Sequence, residues 1–334
     1  MDLRPPSLCG LDTRAAAWFG RRTARWQDFP VDRLLAAKRQ RHLSVSVVIP
    51  ARDEEHTVGG VVSAIWQALM VDAALVDELV VIDSDSADGT AAAAARAGAV
   101  VHRASEVAPE AERFAGKGEA LWKSLLVTSG DLLVFVDADL TEWGPHFVTG
   151  LLGPLLADEE VRLVKGFYQR TFTSSDGTTT TDGGRVTELV ARPLLSLWWP
   201  ELAGVVQPLA GEWAARRDLM ESLAIPVGYG VELAVLLDTA DQYGLEAVAQ
   251  VHLGRRGHRH QATHDLAVMA AELLLVAERR LSARRAAEAG AARLQQFYTA
   301  DGEVGHRCRP VPTHERPPAC SLRPGELAEA AGPA

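Results

Sequence analysis

Val45-Ser46-Val47-Val48-Ile49-Pro50 is a short β-branched run closed by proline, and the way it repeats decides the fold. It reads as a buried strand that ends where proline removes a backbone donor. Ala51-Arg52-Asp53-Glu54-Glu55 follows, then Thr57 to Met70 with apolar residues at helical spacing. The pattern recurs. Glu78-Leu79-Val80-Val81-Ile82-Asp83 leads through Ser84-Asp85-Ser86-Ala87-Asp88-Gly89-Thr90 into an alanine-rich helix, Ala91 to Ala97, that Gly98 closes. A strand is predicted over Val100-Val101-His102. A helix from Gly118 to Thr128 then runs into Leu132-Leu133-Val134-Phe135-Val136-Asp137. Continuous apolar strands alternating with helices predict an α/β fold, a mostly parallel sheet with helices on both faces. Ligands bind such sheets beyond the carboxyl ends of the strands. Asp53 and Glu54, Asp83 and Asp85, and Asp137 and Asp139 are therefore expected around one crevice, although Asp83 to Asp88 can serve in part as helix caps.

The chain has 334 residues, 47% hydrophobic and 23% charged, which suffices for a large core and excludes wholesale disorder. Lys and Arg number 34 against 44 Asp and Glu, a net charge of −10. An acidic chain is a poor partner for nucleic acid or for an anionic membrane surface. No apolar run approaches the roughly 18 residues of a membrane span, and no apolar segment follows Arg21-Arg22 as a signal peptide requires. Cys9, Cys308 and Cys320 are too scattered for a disulfide framework, and with His306 and His314 they are poorly spaced for zinc. A soluble, reduced, cytoplasmic enzyme is expected.

Residues 1–42, with Trp18, Phe19 and Trp26, read as an arm or helix lying on the domain; an acceptor or dimer contact is the alternative. Residues 43–165 are expected to form the nucleotide-binding half and 166–312 an acceptor-binding part with long helices. Within the latter, the Ser/Thr/Asp/Gly-rich stretch 171–184 predicts a mobile loop or hairpin over the site. A helix is expected from Arg185 through Glu188-Leu189-Val190, limited or kinked by Pro193. Another is expected from Leu266 to Phe297, with an apolar face suited to a homodimer or to packing within the chain. Residues 313–334, rich in Pro and Gly, read as a flexible tail.

Asp137-Ala138-Asp139, at the end of a strongly apolar strand, carries the chemistry. Paired carboxylates there can hold Mg²⁺ or Mn²⁺, hard cations that share oxygen ligands with phosphates. With the turns at 50–55 and 83–90, the sequence resembles nucleotide-sugar glycosyltransferases of the GT-A class. Longer segments narrow this: Phe114 to Trp122, Gly183 to Leu195, Gln207-Pro208-Leu209-Ala210-Gly211-Glu212, Gly228-Tyr229-Gly230-Val231-Glu232 and Gly254-Arg255-Arg256-Gly257-His258. They are similar to the actinobacterial glucosyl-3-phosphoglycerate synthase family over about residues 12 to 320.

The resemblance implies a metal-dependent hexosyltransferase that moves glucose from an NDP-glucose, UDP-glucose preferred, to the 2-hydroxyl of 3-phosphoglycerate with retention. It implies that Pro50, Ala51, Glu54 and Ser84 contact uridine. Lys117, Asp137, Ala138, Tyr229, Glu232 and Arg256 complete the donor site. Asp139 and His258 hold the cation. Gly184, Arg185, Val186 and Thr187 receive the acceptor's phosphoglycerate, with His260 nearby. Glu232, Leu209 and Asp139 surround the reacting centre. The chemistry agrees: a guanidinium fork suits phosphate, glycines beside Lys117 permit close backbone approach, and glycines leading into a helix leave N–H groups free for an anion. His260 stands where the family pattern leads one to expect Asn, and the Thr-rich insert at 171–182 departs from relatives. A mannosyl-3-phosphoglycerate synthase or relaxed-donor enzyme is the neighbouring alternative. A nucleotidyltransferase would show a Gly-rich basic loop after the first strand, where residues 50–60 are acidic. A sugar-nucleotide sensor would bind UDP without turnover.

Overall fold

The structure, a computed structural model, describes residues 11–173, 179–180, 184–257, 263–281, 293–300, 303–310, 314–318 and 320. The elements are α1 (Thr13–Arg22), β1 (Thr23–Arg25), α2 (Val31–Gln40), β2 (Val45–Ala51), α3 (Val58–Ile65), β3 (Glu78–Asp83), α4 (Thr90–Arg96), β4 (Val100–Arg103), α5 (Lys117–Val127) and β5 (Leu132–Phe135). Then come α6 (His146–Ala157), β6 (Leu163–Thr173), β7 (Thr179–Thr180), α7 (Arg192–Trp198), β8 (Trp213–Arg216), α8 (Arg217–Ser222), β9 (Ile225–Pro226), α9 (Val231–Tyr243) and β10 (Val248–Gly257). The chain closes with α10 (Thr263–Leu281), β11 (Arg293–Ala300), β12 (Glu303–Pro310) and β13 (Glu315–Arg316).

The main sheet runs β1-β10-β6-β8-β5-β2-β3-β4. Its pairs are parallel except those of β8, which lies antiparallel between β5 and β6. Alternation along each strand sends side chains to opposite layers. Val47, Ile49 and Val134 meet α3 and α6, while Val48, Leu133 and Phe135 meet α5 and α9. This is the expected mostly parallel α/β sheet with helices on both faces. Trp18 of the N-terminal arm is fully buried, and its indole N–H donates to the Val248 carbonyl at 2.8 Å. The boundary expected at 165/166 falls inside β6. No helix among the described residues is long and apolar enough to cross a membrane.

Three expectations change. The last helix ends at Leu281, and Arg293–Ala300 is instead a strand paired antiparallel with Glu303–Pro310. The run Gln295-Gln296-Phe297-Tyr298-Thr299 before Asp301-Gly302 is a strand and hairpin signal that a helical reading overlooks. Helical structure also persists past Pro193 to Trp198; a wide π turn, Thr187–Ala191, comes just before it. The supposed tail is folded at its start, where Glu315–Arg316 pairs antiparallel with Ile225–Pro226. In the Thr-rich stretch, Thr179–Thr180 pairs back on β6 as one arm of a hairpin; the segments around it lie outside the described residues.

Candidate active site

Parallel β2, β3 and β5 all end on the same side of the sheet, and a cleft of about 370 Å³ opens there. Because β8 runs antiparallel, its entry lies on that side: Trp213 pairs with Phe135, so the segment leading into β8 stands beside Asp137-Ala138-Asp139. Gly211 approaches so closely that a Cβ there would come within 2.1 Å of the Asp137 carboxylate. From the opposite face, α5 starts with Lys117 at the rim. Gly116 takes φ +142°, and a Cβ on Gly118 would strike the Pro226 carbonyl at 1.7 Å. The glycines flanking Lys117 thus let the 226–228 backbone approach closely, and Gly116 also lines the cleft. The Gly118 and Glu119 amides donate to the carbonyls of Gly228 and Val227.

A buried charge network lies at the centre. Lys117 Nζ is 2.6 Å from Asp137 Oδ1 and 2.8 Å from Glu232 Oε1. Arg256 Nη2 reaches Asp137 Oδ2 at 2.9 Å, Asp139 Oδ1 at 3.2 Å and Glu212 Oε1 at 3.2 Å. Its Nη1 donates to the Tyr168 hydroxyl at 2.9 Å. Burial works against the Lys117 ammonium, but Asp137 and Glu232 more than offset it and keep the group charged far above neutrality. Burial likewise opposes ionisation of Asp137, yet Lys117 and Arg256 hold its carboxyl well below the usual range. Asp139 goes the other way: burial and the charge of Asp137 raise it.

The donor-side candidates Pro50, Ala51, Glu54, Ser84, Lys117, Asp137, Ala138, Tyr229, Glu232 and Arg256 all line this one cleft, together with Asp139 and Leu209. The acceptor candidates Gly184, Arg185, Val186 and Thr187 line it too, where a helical turn begins with the Glu188 amide donating to Gly184 O at 2.9 Å. His258 and His260 lie outside the described residues. Two strand-end acids turn away from the cleft. Asp83 is fully buried and accepts from Ser86, and Asp53 accepts from the Ala87 amide, so both fasten the paired turns. Asp88 accepts from the Thr90 amide at 3.0 Å, a helix-start contact. Glu212, Tyr168 and Lys165 were not singled out from sequence. Glu212 sits inside a quoted motif, and Lys165 is a lone charge in an apolar run, which is a usable signal.

Among the described residues, no group of three or more His, Cys, Asp or Glu could hold a metal ion. Asp139 nevertheless suits a divalent cation. It offers a hard carboxylate oxygen in the cleft, and the negative field of Asp137 that raises its proton affinity favours a dication as well.

The model of the glycosyl transferase family 2 matches residues 46–196. The chain is 46% identical over 291 residues to a glucosyl-3-phosphoglycerate synthase of Mycolicibacterium smegmatis, covering 87% of this chain and 93% of the relative. A structure of mannosyl-3-phosphoglycerate synthase from Rubrobacter xylanophilus superposes with a TM-score of 0.84 at 39% identity, covering 92% of this chain and 98% of that one. The glucosyl-3-phosphoglycerate synthase of Mycobacterium tuberculosis, crystallised with Mn²⁺, UDP-glucose and phosphoglyceric acid, matches with a TM-score of 0.77 at 43% identity, covering 88% of this chain and 95% of that one.

Proposed function

Since the chain belongs to the glucosyl-3-phosphoglycerate synthase family of GT-A glycosyltransferases, we propose the residues by which it transfers a hexose. It is a hexosyltransferase that moves glucose from UDP-glucose to 3-phosphoglycerate and releases UDP, with Mg²⁺ or Mn²⁺ as cofactor. The observation that carries the residue assignment is the single cleft in which the Lys117–Asp137–Arg256 network and Asp139 face the Gly184–Thr187 helix start.

Pro50, Ala51, Glu54 and Ser84 hold the uridine, with Asp137 and the Ala138 backbone on the ribose side. Lys117 and Arg256 face the diphosphate; the guanidinium fork matches its geometry. Asp139 and His258 would hold the cation, which supplies charge neutralisation to the departing UDP. Glu232 and Tyr229 orient the glucose hydroxyls, and the Leu209 carbonyl borders the anomeric carbon. Gly184 to Thr187 bind the acceptor's phosphate and carboxylate through the backbone N–H groups of the helix start and the Arg185 side chain, and His260 serves the same acceptor. The acceptor 2-hydroxyl attacks from the face that UDP leaves, its proton passing to a diphosphate oxygen, so the configuration is retained. Positioning supplies much of the acceleration. The enzyme acts in the cytoplasm as a homodimer. Exposed Leu189, Leu197, Trp198 and Leu274 support the dimer.

The Rubrobacter likeness favours a second reading, mannose as the transferred sugar. Incubation with UDP-glucose, ADP-glucose, GDP-glucose and GDP-mannose, 3-phosphoglycerate and Mg²⁺ tests both. Glucosyl-3-phosphoglycerate from UDP-glucose is expected; mannosyl product as the main species supports the second, and no glycosylated product refutes both.

A further inference from the structure

Val161-Arg162-Leu163-Val164-Lys165-Gly166-Phe167 places one lysine among apolar residues near the start of β6, and it is 1% exposed. A buried ammonium is costly unless it is hydrogen-bonded and compensated. Lys165 Nζ donates to the Ala210 carbonyl at 2.9 Å and stands 5.6 Å from the centre of the Trp213 ring. Its charge faces Glu232 of α9, Lys117 of α5, and Glu212 and Asp137, the last two also paired with Arg256 of β10.

Ala210 lies between Leu209 and Gly211, both of which line the cleft. The rest of that segment is held by the same strand. The Gln207 amide donates to the Tyr168 carbonyl at 2.7 Å and accepts from the Tyr168 amide at 3.3 Å. At the other end, the Gly166 amide donates to the Glu212 carbonyl at 3.0 Å. Between these grips, the ammonium of Lys165 holds the middle.

We propose that Lys165 is a positioning residue for sugar transfer: its buried ammonium pins the Ala210 carbonyl and so fixes the Leu209–Gly211 backbone that borders the reacting carbon and abuts Asp137. The inference rests on the glycosyltransferase reading and deepens it. Without this ammonium, Ala210 loses its donor, and Asp137, Asp139, Glu212 and Glu232 share only Lys117 and Arg256 within the described network. The disturbance falls at the sugar end of the cleft, away from Pro50 and Ala51 at the end of β2 and from Glu54 and Ser84 in the turns after β2 and β3. It should therefore lower kcat and leave nucleotide affinity in place. Burial lowers the Lys165 ammonium to about 8, so wild-type kcat should decline as pH rises through that value.

The test compares wild type with Lys165→Met for kcat, both KM values and UDP affinity with Mn²⁺, from about pH 6.5 to about pH 9.5. The expected result is a kcat about a hundredfold lower, UDP affinity within about threefold, and loss of the alkaline decline. A kcat within about threefold of wild type, or an alkaline decline retained in the variant, overturns the proposal. If Lys165→Met does not bind UDP, Lys165→Arg decides. A decline moved up by about one pH unit or more supports the proposal, and an unmoved one overturns it. A wild type that transfers no sugar overturns the functional reading together with this inference; an active wild type with an indifferent variant overturns this inference alone.

Discussion

Arg316 and Glu119 lie 197 positions apart in the chain and form a two-pronged buried ion pair, Nε to Oε2 at 2.9 Å and Nη2 to Oε1 at 2.7 Å. The guanidinium is held between the rings of Phe114 and Trp122, 4.8 and 4.7 Å from their centres. Lys123 shares the same carboxylate at 3.3 Å. Glu119 stands on the first turn of α5, two residues beyond Lys117, so the C-terminal strand steadies the helix that carries the candidate diphosphate lysine. Arg316→Met should cost about 3–5 kcal/mol of unfolding free energy, because it breaks a buried pair from one side. Denaturant titration measures this, and an unchanged midpoint would refute it.

Asp139→Asn should lower turnover at least about a hundredfold and abolish the Mn²⁺ dependence of UDP binding, while near-native unfolding persists. Calorimetry with and without EDTA reads the second effect. Full activity of the variant in the presence of EDTA would eliminate the metal role.

Lys117→Met leaves Asp137 and Glu232 facing each other without the cation that joins them. Stability should fall by about 3 kcal/mol or more, and the KM for UDP-glucose should rise about tenfold or more. Thermal unfolding and initial-rate kinetics check the two separately. A variant as stable as wild type would show that the network is not what holds these carboxylates.

Arg185→Ala should raise the KM for 3-phosphoglycerate about tenfold or more, with UDP affinity unaltered, since a charged hydrogen bond contributes about 1.5–3 kcal/mol. The opposite pattern would move Arg185 to the donor side.

Glu272, buried on α10, accepts from the backbone N–H groups of Tyr229 and Gly230. Burial, assisted by the charge of Glu232, lifts its carboxyl from 4.5 to about 7. The folded state thus keeps a proton that the unfolded chain releases between those values. The stability this proton confers is complete below 4.5 and is lost as pH rises through about 7. Glu272→Gln should flatten that dependence and gain roughly 1–3 kcal/mol above neutrality. Melting curves between about pH 4.5 and about pH 8 check it, and parallel profiles for both proteins would refute it.

Strands β2 to β5 were legible because their apolar runs alternate with helical segments, and β2, β3 and β5 lead into proline or an acid, as at Val45–Pro50 and Leu132–Asp137; β1, β6, β8 and β10, more polar or broken by charge, were not. Asp137 and Asp139 could be placed at the cleft by the same token. Sequence could not tell which strand-end acids face inward: Asp83 and Asp53 have the composition of Glu54, and only the turn geometry commits them to backbone amides. Lys165 and Glu212 escaped notice because their partners are distant in sequence: Ala210 lies in the segment leading into antiparallel β8, and Arg256, paired with Glu212, lies on β10. The final helix was overextended because Ala, Leu, Glu and Arg set an expectation that Phe297 and Tyr298 reverse.

β8, gripped by β5 on one edge and β6 on the other, stitches early and late sequence into a single hydrogen-bonded fabric. The segments on either side of residue 165 are consequently not cassettes. A chimera spliced between relatives near residue 165 must match the register on both edges of β8, or it will strand the Leu209–Glu212 segment away from Asp137. Crossovers placed in the loops flanking α3 or α4 leave that seam whole, and shuffled libraries should recover active progeny there far more often.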